Sequence, residues 1–490
     1  MDNLKFYFVT WNVATRSPGQ DLNALLDFPS QFNKNKPLPD FYAIGLQEVK
    51  SQPQNMLMDS LFTDAWTSTF NKILCRQGYI IAKSTRLQGI LLLIYTQMKH
   101  VTHLRDIEAQ YTKTGLGGMW GNKGAVSIRF NIYGCSVCIV NCHLTAHEHL
   151  LADRVNDYNT IIKQHVYHVN ETSNILYHDY VFWIGDLNFR TDHPAGSSPS
   201  SEEIVATLQT VEKDKYANLL KHDQLLAVME TGEAFSEFSE AEIRFPPTYK
   251  FSIGGDEYDL KRKPSWTDRV LYKVVANNYE NVTLRADLVS YNHVPHYTVS
   301  DHKPVIAQFN IKAFSNYTEK TVEFAPIRRI WYIGDADFRT QCTLSHDVVV
   351  NSNDWIGIYD ANFHSLDDYI AYEYLAKVGL PEKPVATGEP RTITLSFPVG
   401  SGVRTPGFYR FIYFSQPNND VRSVLGISEP FEVSSKEDRL VAIDNCDQPS
   451  SSTSPGRSKP TTATTDIFTD FTGLDVTKLS RHFSNDLSID

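Results

Sequence analysis

Between residues 4 and 312 the chain returns repeatedly to short runs of β-branched and aromatic residues, most of which end on a polar or charged side chain. "KFYFVTWNV", "DFYAIGLQEV", "GILLLIYT", "AVSIRFNIY", "SVCIVNCHL", "YVFWIGDLN", "DRVLYKV" and "KPVIAQFNI" have the composition of strands, and several of them alternate. A run such as Val181, Phe182, Trp183 and Ile184 ahead of Gly185 has to be covered on both faces, which places it inside a layered fold. Leu151, Val155, Tyr158 and Ile162 recur at helical spacing, which predicts a helix beginning near Thr145. Strands and helices mixed in this way imply an α/β chain with sheets packed between helices.

At 490 residues the chain exceeds what one core usually supports. Residues 313–321 read as a linker, and beyond them the texture changes. "RTITLSFPV" and "GFYRFIYFS" alternate with period two, the second placing Phe408, Arg410, Ile412 and Phe414 on one face. Only "LDDYIAYEYLAK" has a helical cast. The pattern predicts a small all-β, immunoglobulin-like sandwich of about 110 residues. The expected domains are 1–315, 322–435 and a low-complexity, disordered tail over 436–490.

A net charge of −11 argues against a general nucleic-acid binder, so no nucleic-acid partner is expected. The six cysteines form no disulfide framework and no zinc-ligand spacing, as expected of core thiols in a reducing compartment. The opening "MDNLKFYFVTWNV" lacks the pattern of a signal peptide, and "GILLLIY" is too short to span a bilayer.

The polar residues at the strand ends carry the chemistry. Asn12, Glu48, His143, Asp186 with Asn188, and Asp301 with His302 each sit at the margin of an apolar run. Singly, each has a plain structural reading as a turn former, a solvated acid or a hydrogen-bonded neighbour. Together they supply what phosphate-ester hydrolysis requires: carboxylates to hold a divalent cation and accept a proton, with imidazole and amide donors for phosphate oxygens.

"FWIGDLNFR" (182–190) and "KPSWTDRVLY" (263–272) match the two signatures of the inositol polyphosphate 5-phosphatases. "TWNVAT", "GLQEV", "GNKGAV", "NCHLTAH", "PPTYKF" and "SDHKPV" supply that family's further motifs. The chain therefore resembles this family over residues 4 to about 312, and "WYIGDADF" with "DWIGIYD" resembles a SKICH domain. The resemblance implies a deoxyribonuclease I-like (endonuclease/exonuclease/phosphatase) four-layer sandwich ahead of the β-sandwich. It also implies Mg²⁺-dependent hydrolysis of the 5-phosphate of phosphatidylinositol 4,5-bisphosphate and 3,4,5-trisphosphate, with soluble inositol phosphates as further substrates.

Carried over residue by residue, the resemblance makes Glu48 the principal Mg²⁺ ligand, with Asn12 beside it and Asp301 close by. Asp186 becomes the base, Asn188 places water and phosphate, His143 and His302 contact the scissile phosphate, and Asp268 orients His302. Lys123, Tyr249, Lys250 and Lys263 match positions that contact the neighbouring 4-phosphate, and Arg262 is expected to join them. No residue becomes covalently attached, and none of the cysteines opens a Cys-x5-Arg loop. A metal-dependent endonuclease of the same fold and a catalytically idle lipid-binding scaffold stand as alternatives. A cytoplasmic monomer recruited peripherally to membranes is expected, with a protein partner for the SKICH-like region. Trp120, ahead of Lys123, is a candidate membrane-facing loop residue.

Overall fold

The computed structural model describes residues 3–28, 37–50, 64–118, 120–275, 278–279, 282–314, 317–335, 337–379, 389–398 and 402–436. The expected tail, apart from Lys436, and the side chain of Trp120 lie outside the described residues. In chain order the strands of the first region are β1 (Asn3–Asn12), β2 (Phe41–Gln47), β3 (Tyr79–Leu87), β4 (Ile90–Gln97), β5 (Leu104–Thr114), β6 (Trp120–Ile132) and β7 (Cys135–His143). They continue with β8 (Tyr180–Asp186), β9 (Ser239–Glu240), β10 (Asp268–Val274), β11 (Asn278–Tyr279), β12 (Val282–Thr283), β13 (Ala286–His293) and β14 (Val305–Lys312).

Two six-stranded sheets result, ordered β13-β14-β1-β2-β4-β3 and β5-β6-β7-β8-β10-β9. Each contains one parallel pair, β1 with β2 and β7 with β8, flanked by antiparallel neighbours. Every residue of β2, β7 and β8 is buried, the polar Gln47, Ser136, Asn141, His143 and Asp186 along with the apolar majority. The sheets pack face to face through aromatic pairs such as Phe8 with Phe182 (centroids 4.4 Å apart) and Phe41 with Phe130 (5.6 Å).

Helices cover the outer faces. Helix Ala65–Leu74, capped by Asp64, lays Trp66 and Phe70 on the outer side of the first sheet. Helices Leu151–Gln164 and Gln224–Thr231 cover the second through Tyr158, Ile161, Leu225 and Val228. The four layers match the expected sandwich. The first of these two helices starts at Leu151 rather than near Thr145. Before it, the chain forms a loop tied to the helix: Thr145 N donates to Asp157 Oδ2 (2.8 Å), and Arg154 Nη1 donates to the carbonyls of Thr145 (3.2 Å) and His147 (2.6 Å). Apolar spacing marks the buried face of a helix, and only a cap marks its start.

The second region contains β15 (Val322–Phe324), β16 (Trp331–Tyr332), β17 (Asp337–Leu344), β18 (Trp355–Asp360), β19 (Ala371–Tyr374), β20 (Arg391–Pro398), β21 (Gly407–Ser415), β22 (Ser423–Ile427) and β23 (Phe431–Ser434). One sheet runs β15-β17-β20; the other runs β16-β23-β21-β18-β19, with β22 also paired to β21. "LDDYIAYEYLAK" divides into β19 and a single helical turn, Leu375–Val378. In β21, Tyr409, Phe411 and Tyr413 fill the sandwich. On its other face, Phe408 is exposed, while Ile412 and Phe414 join the core of the first region together with Trp355, Tyr359, Leu366 and Val424.

The docking uses backbone as well as side chains. β3 and β5 are edge strands, and each carries a bulge, between Ile81 and Lys83 and between Arg105 and Glu108. Ile81 exchanges hydrogen bonds with His364 O (2.8 Å) and Leu366 N (3.0 Å), and Ile107 with Arg422 O (2.8 Å) and Arg422 N (3.2 Å). Bulges leave ladder groups unpaired, and loops of the second region satisfy them here. The expected linker is held as well, because Glu319 pairs with His103 and with Arg105 (3.5 Å).

Candidate active site

The topology explains why residues far apart in the chain meet. Asn12 and Glu48 lie at the C-terminal ends of parallel strands β1 and β2, and His143 and Asp186 at those of β7 and β8. Antiparallel β10 begins there, with Asp268 opposite Asp186, and antiparallel β14 begins just after His302. Side chains from both sheets therefore converge on one end of the sandwich.

Close backbone approach makes this end tight. Gly185 has φ +145°, and a Cβ there would lie 2.2 Å from the Cys142 carbonyl oxygen. Glu48 and Asn188 adopt left-handed backbone at φ +55° and +59°, which non-glycine residues rarely do outside constrained sites.

Asp186 is buried at the centre. Asn12 Nδ2 donates to Asp186 Oδ2 (3.0 Å) and to Glu48 Oε1 (3.1 Å). His143 Nε2 lies 3.4 Å and His302 Nε2 3.9 Å from the same Asp186 oxygen. Burial alone would raise the Asp186 pKa, but His302, His143 and Lys123 outweigh it and hold the carboxyl well below its ordinary range. His143 moves the other way: burial and then the adjacent Lys123, whose Nζ lies against its Nε2, lower its pKa.

Asp268 accepts on Oδ2 from Thr248 Oγ1 (2.7 Å), Thr267 Oγ1 (2.9 Å) and His302 Nδ1 (2.9 Å). Burial works against a charged His302, but Asp268 and Asp186 override it and push its pKa up to about 9. Its Nδ1 proton is thus fixed on Asp268, with Nε2 turned toward Asp186. The Tyr249 ring packs on His302 at 4.5 Å, and the Arg190 guanidinium lies 4.6 Å over Tyr249.

Asp186, Asp268 and His302 are close enough to hold a metal together. Within this group Asp268 Oδ2 and His302 Nδ1 are already hydrogen-bonded to each other at 2.9 Å. Glu48 is the carboxylate that stays open, 42% exposed on a cavity of about 340 Å³ shared with Asn122, Lys123 and His143. A carboxylate oxygen facing open space, with a second carboxylate behind Asn12, suits a hard divalent cation. Asn12 turns its NH₂ toward both carboxylates, while its Oδ1 accepts from Ala14 N (3.0 Å). Asp301 accepts on its backbone from Phe251 N (2.9 Å) and sets Oδ1 3.5 Å from Ser300 Oγ.

Asn188 serves its own loop. Its Oδ1 accepts from Arg190, its Nδ2 donates to Leu144 O (3.0 Å), and its backbone N–H meets Asp186 Oδ1 (3.1 Å). The lysines separate. Lys123 is beside His143, whereas Lys250 pairs with Asp259 (3.6 Å) and Lys263 with Asp192 (2.7 Å) and Glu148 (3.0 Å). Tyr249, Arg262 and Lys263 share a second, smaller cavity with Arg190 and His147. Sequence reasoning gave Arg190 and His147 no role, although both lie inside quoted motifs.

Residues 9–308 match endonuclease/exonuclease/phosphatase family 2, and residues 322–433 match the SKICH domain. Inositol polyphosphate 5-phosphatase K of Mus musculus is 31% identical over 449 residues, an alignment covering 88% of this chain and 90% of that one. The chain belongs to the inositol polyphosphate 5-phosphatase family. Another member, phosphatidylinositol 4,5-bisphosphate 5-phosphatase A of Homo sapiens, is 33% identical over 450 residues, covering 89% of this chain and 42% of that one. The chain thus spans less than half the length of that relative. Among solved 5-phosphatase structures, the domain of SpSynaptojanin in complex with inositol (1,4)-bisphosphate and calcium ion aligns at TM-score 0.52 and 32% identity, over 64% of this chain and 85% of that one. A Cimex nitrophorin aligns over 64% of this chain at TM-score 0.50 and 24% identity, a likeness of fold alone.

Proposed function

We propose that this chain removes the 5-phosphate from phosphatidylinositol 4,5-bisphosphate and 3,4,5-trisphosphate, and from soluble inositol polyphosphates, with Mg²⁺ as cofactor. The observation that carries this reading is the convergence of Glu48, Asn12, His143, Asp186, Asp268 and His302 on one end of the sandwich. Glu48, with Asn12 beside it and Asp301 close by, would hold the Mg²⁺, which when bound neutralises charge on the phosphate oxygens.

His302, charged and fixed by Asp268, offers an N–H to a phosphate oxygen, and Lys123 adds its Nζ donors beside His143. Asp186 orients the attacking water and receives its proton as the phosphoryl group transfers. A strongly acidic carboxylate suffices because phosphoryl transfer depends mainly on alignment and charge neutralisation. Asn188 and Arg190 brace the loop that carries Asp186. Tyr249, Lys250, Lys263 and Arg262 face the neighbouring phosphate, where Lys250 exchanges Asp259, and Lys263 exchanges Glu148 and Asp192, for phosphate oxygens.

The buried thiols Cys135, Cys138, Cys142 and Cys342 suit a reducing, cytoplasmic setting, from which the chain is recruited to a membrane surface. Among the described residues, no helix is long and apolar enough to cross a membrane. The domains assigned are 1–315 for catalysis and 322–435 for a partner. The deciding experiment is phosphate release across phosphoinositide isomers and inositol phosphates, with and without Mg²⁺; equal turnover of substrates lacking a 5-phosphate overturns the reading. Asp186→Ala should lower turnover by roughly 10² to 10⁴, whereas activity within a few-fold of wild type would leave Asp186 no role beyond its turn.

A further inference from the structure

Trp355, Tyr369, Tyr372 and Tyr374 line an open cavity of about 260 Å³ where the second region meets β3 and β5. The β18–β19 register sets Tyr374 opposite Trp355 and Tyr372 opposite Gly357, which puts these rings on one face of the sheet. Gly357 is required there, since a Cβ would meet the Tyr359 ring at 2.5 Å and the Trp355 ring at 2.9 Å. Phe414 stacks on Trp355 at 4.1 Å and 11°, fixing it as the floor.

The planes of Trp355, Tyr369 and Tyr372 cross pairwise at 69°, 74° and 83°, with centroids 5.4–5.8 Å apart. Three nearly perpendicular rings form the corner of a box. Although they border the junction, Tyr369, Tyr372 and Tyr374 remain 42%, 46% and 47% exposed, so the docking of the two regions leaves these rings uncovered. Ring faces arranged in this way attract a bulky, weakly hydrated cation, above all a quaternary ammonium.

The same cavity carries charge of the other kind. Arg422 Nη2 is 2.7 Å from Asp367 Oδ1, and Lys83 Nζ is 3.9 Å from Asp367 Oδ2, so two cations share one carboxylate. Arg422 is held in place over the Phe414 ring at 5.5 Å. With Asp420 the lining charges sum to zero, arranged as a cationic pair next to an aromatic corner. The matching ligand is a compact zwitterion. We propose that this cavity binds phosphocholine, with the trimethylammonium in the corner of Trp355, Tyr369 and Tyr372 and the phosphate on Lys83 and Arg422. A methylated lysine lacks the phosphate and gains nothing from Lys83 and Arg422, which stay with Asp367. The inference stands apart from the catalytic reading, since none of these residues touches that site.

Calorimetric titration of phosphocholine into the full chain tests it. Saturable binding is expected, weakened about fivefold by Tyr372→Ala, the factor worth one cation–π contact at an open site, and retained by Tyr372→Phe. Lys83→Gln should weaken phosphocholine and leave choline unchanged. Co-sedimentation with phosphatidylcholine vesicles that free phosphocholine competes away identifies the ligand as a lipid headgroup; binding of free phosphocholine without co-sedimentation identifies a soluble one. Tyr372→Ala should hydrolyse soluble inositol trisphosphate at the wild-type rate, which shows that it is folded. The proposal is overturned by absence of saturation at about 10 mM, where affinity falls below 3 kcal/mol, by equal affinities of wild type and Tyr372→Ala, or by tighter binding of a trimethyllysine peptide.

Discussion

Asp268 gathers three donors on one oxygen and leaves the other, Oδ1, buried without a hydrogen bond. That arrangement sets the proton on His302, whose pKa rises from 6.5 to about 9, against the cost of burial, because Asp268 and Asp186 face it. The folded chain binds this proton more tightly than the unfolded chain, so the stabilisation is full below about pH 6.5 and is lost as pH rises through about 9. In Asp268→Asn the main source of the shift is gone. The melting temperature of the wild type should therefore fall more steeply from pH 7 to 10 than that of Asp268→Asn; parallel profiles would show that His302 is not held charged by Asp268. The types of these residues were legible from the ends of apolar runs and the matched motifs. Their division of labour was not: Asn188 is consumed by Arg190 and Leu144 O, and Lys123 sits on His143, contacts set by loops that leave no periodic trace in the sequence.

At the scale of elements, the parallel pair β7–β8 governs the site, and Gly185 governs the pair. With φ +145° and the Cys142 carbonyl 2.2 Å from any added Cβ, Gly185→Ala has to displace β8 from β7 and carry Asp186 with it. Backbone strain and overpacking together should cost about 3 kcal/mol or more, read as a fall in denaturation midpoint with turnover lost in parallel; full stability in this variant would refute the close approach. The strands were readable because apolar residues make up most of the buried strands β2, β7 and β8. The start of helix Leu151–Gln164 and the strand in "LDDYIAYEYLAK" were not, because a tethered loop and an exposed edge strand have no buried face to impose a period.

For the whole molecule, alternation alone announced two regions but said nothing of how they join. The joint lies at bulges in β3 and β5, where pairing depends on a single extra residue in each strand. Removing everything after residue 315 should leave hydrolysis of soluble inositol trisphosphate measurable, because every proposed catalytic residue precedes the cut. It also strips cover from two edge strands and from the apolar surface that Trp355, Ile412 and Phe414 occupy. Open edges invite association between chains. The shortened chain should therefore melt about 5 °C or more below the full one, on the scale expected for a few kcal/mol, and scatter light on standing. Equal thermal stability of the two would mean that the regions merely touch.

The four backbone hydrogen bonds at these edges also give the chain an internal clock. The amides of Ile81, Ile107, Leu366 and Arg422 are each satisfied across the joint, so their protons meet solvent only when the regions part or the chain unfolds. At high pH, where exchange outruns reclosing, deuterium uptake at these amides should proceed as a set, at one common rate, faster than at the buried amides of β2. That rate times the opening of the joint while both regions stay folded, and uptake at four unrelated rates would show that the two edges open independently.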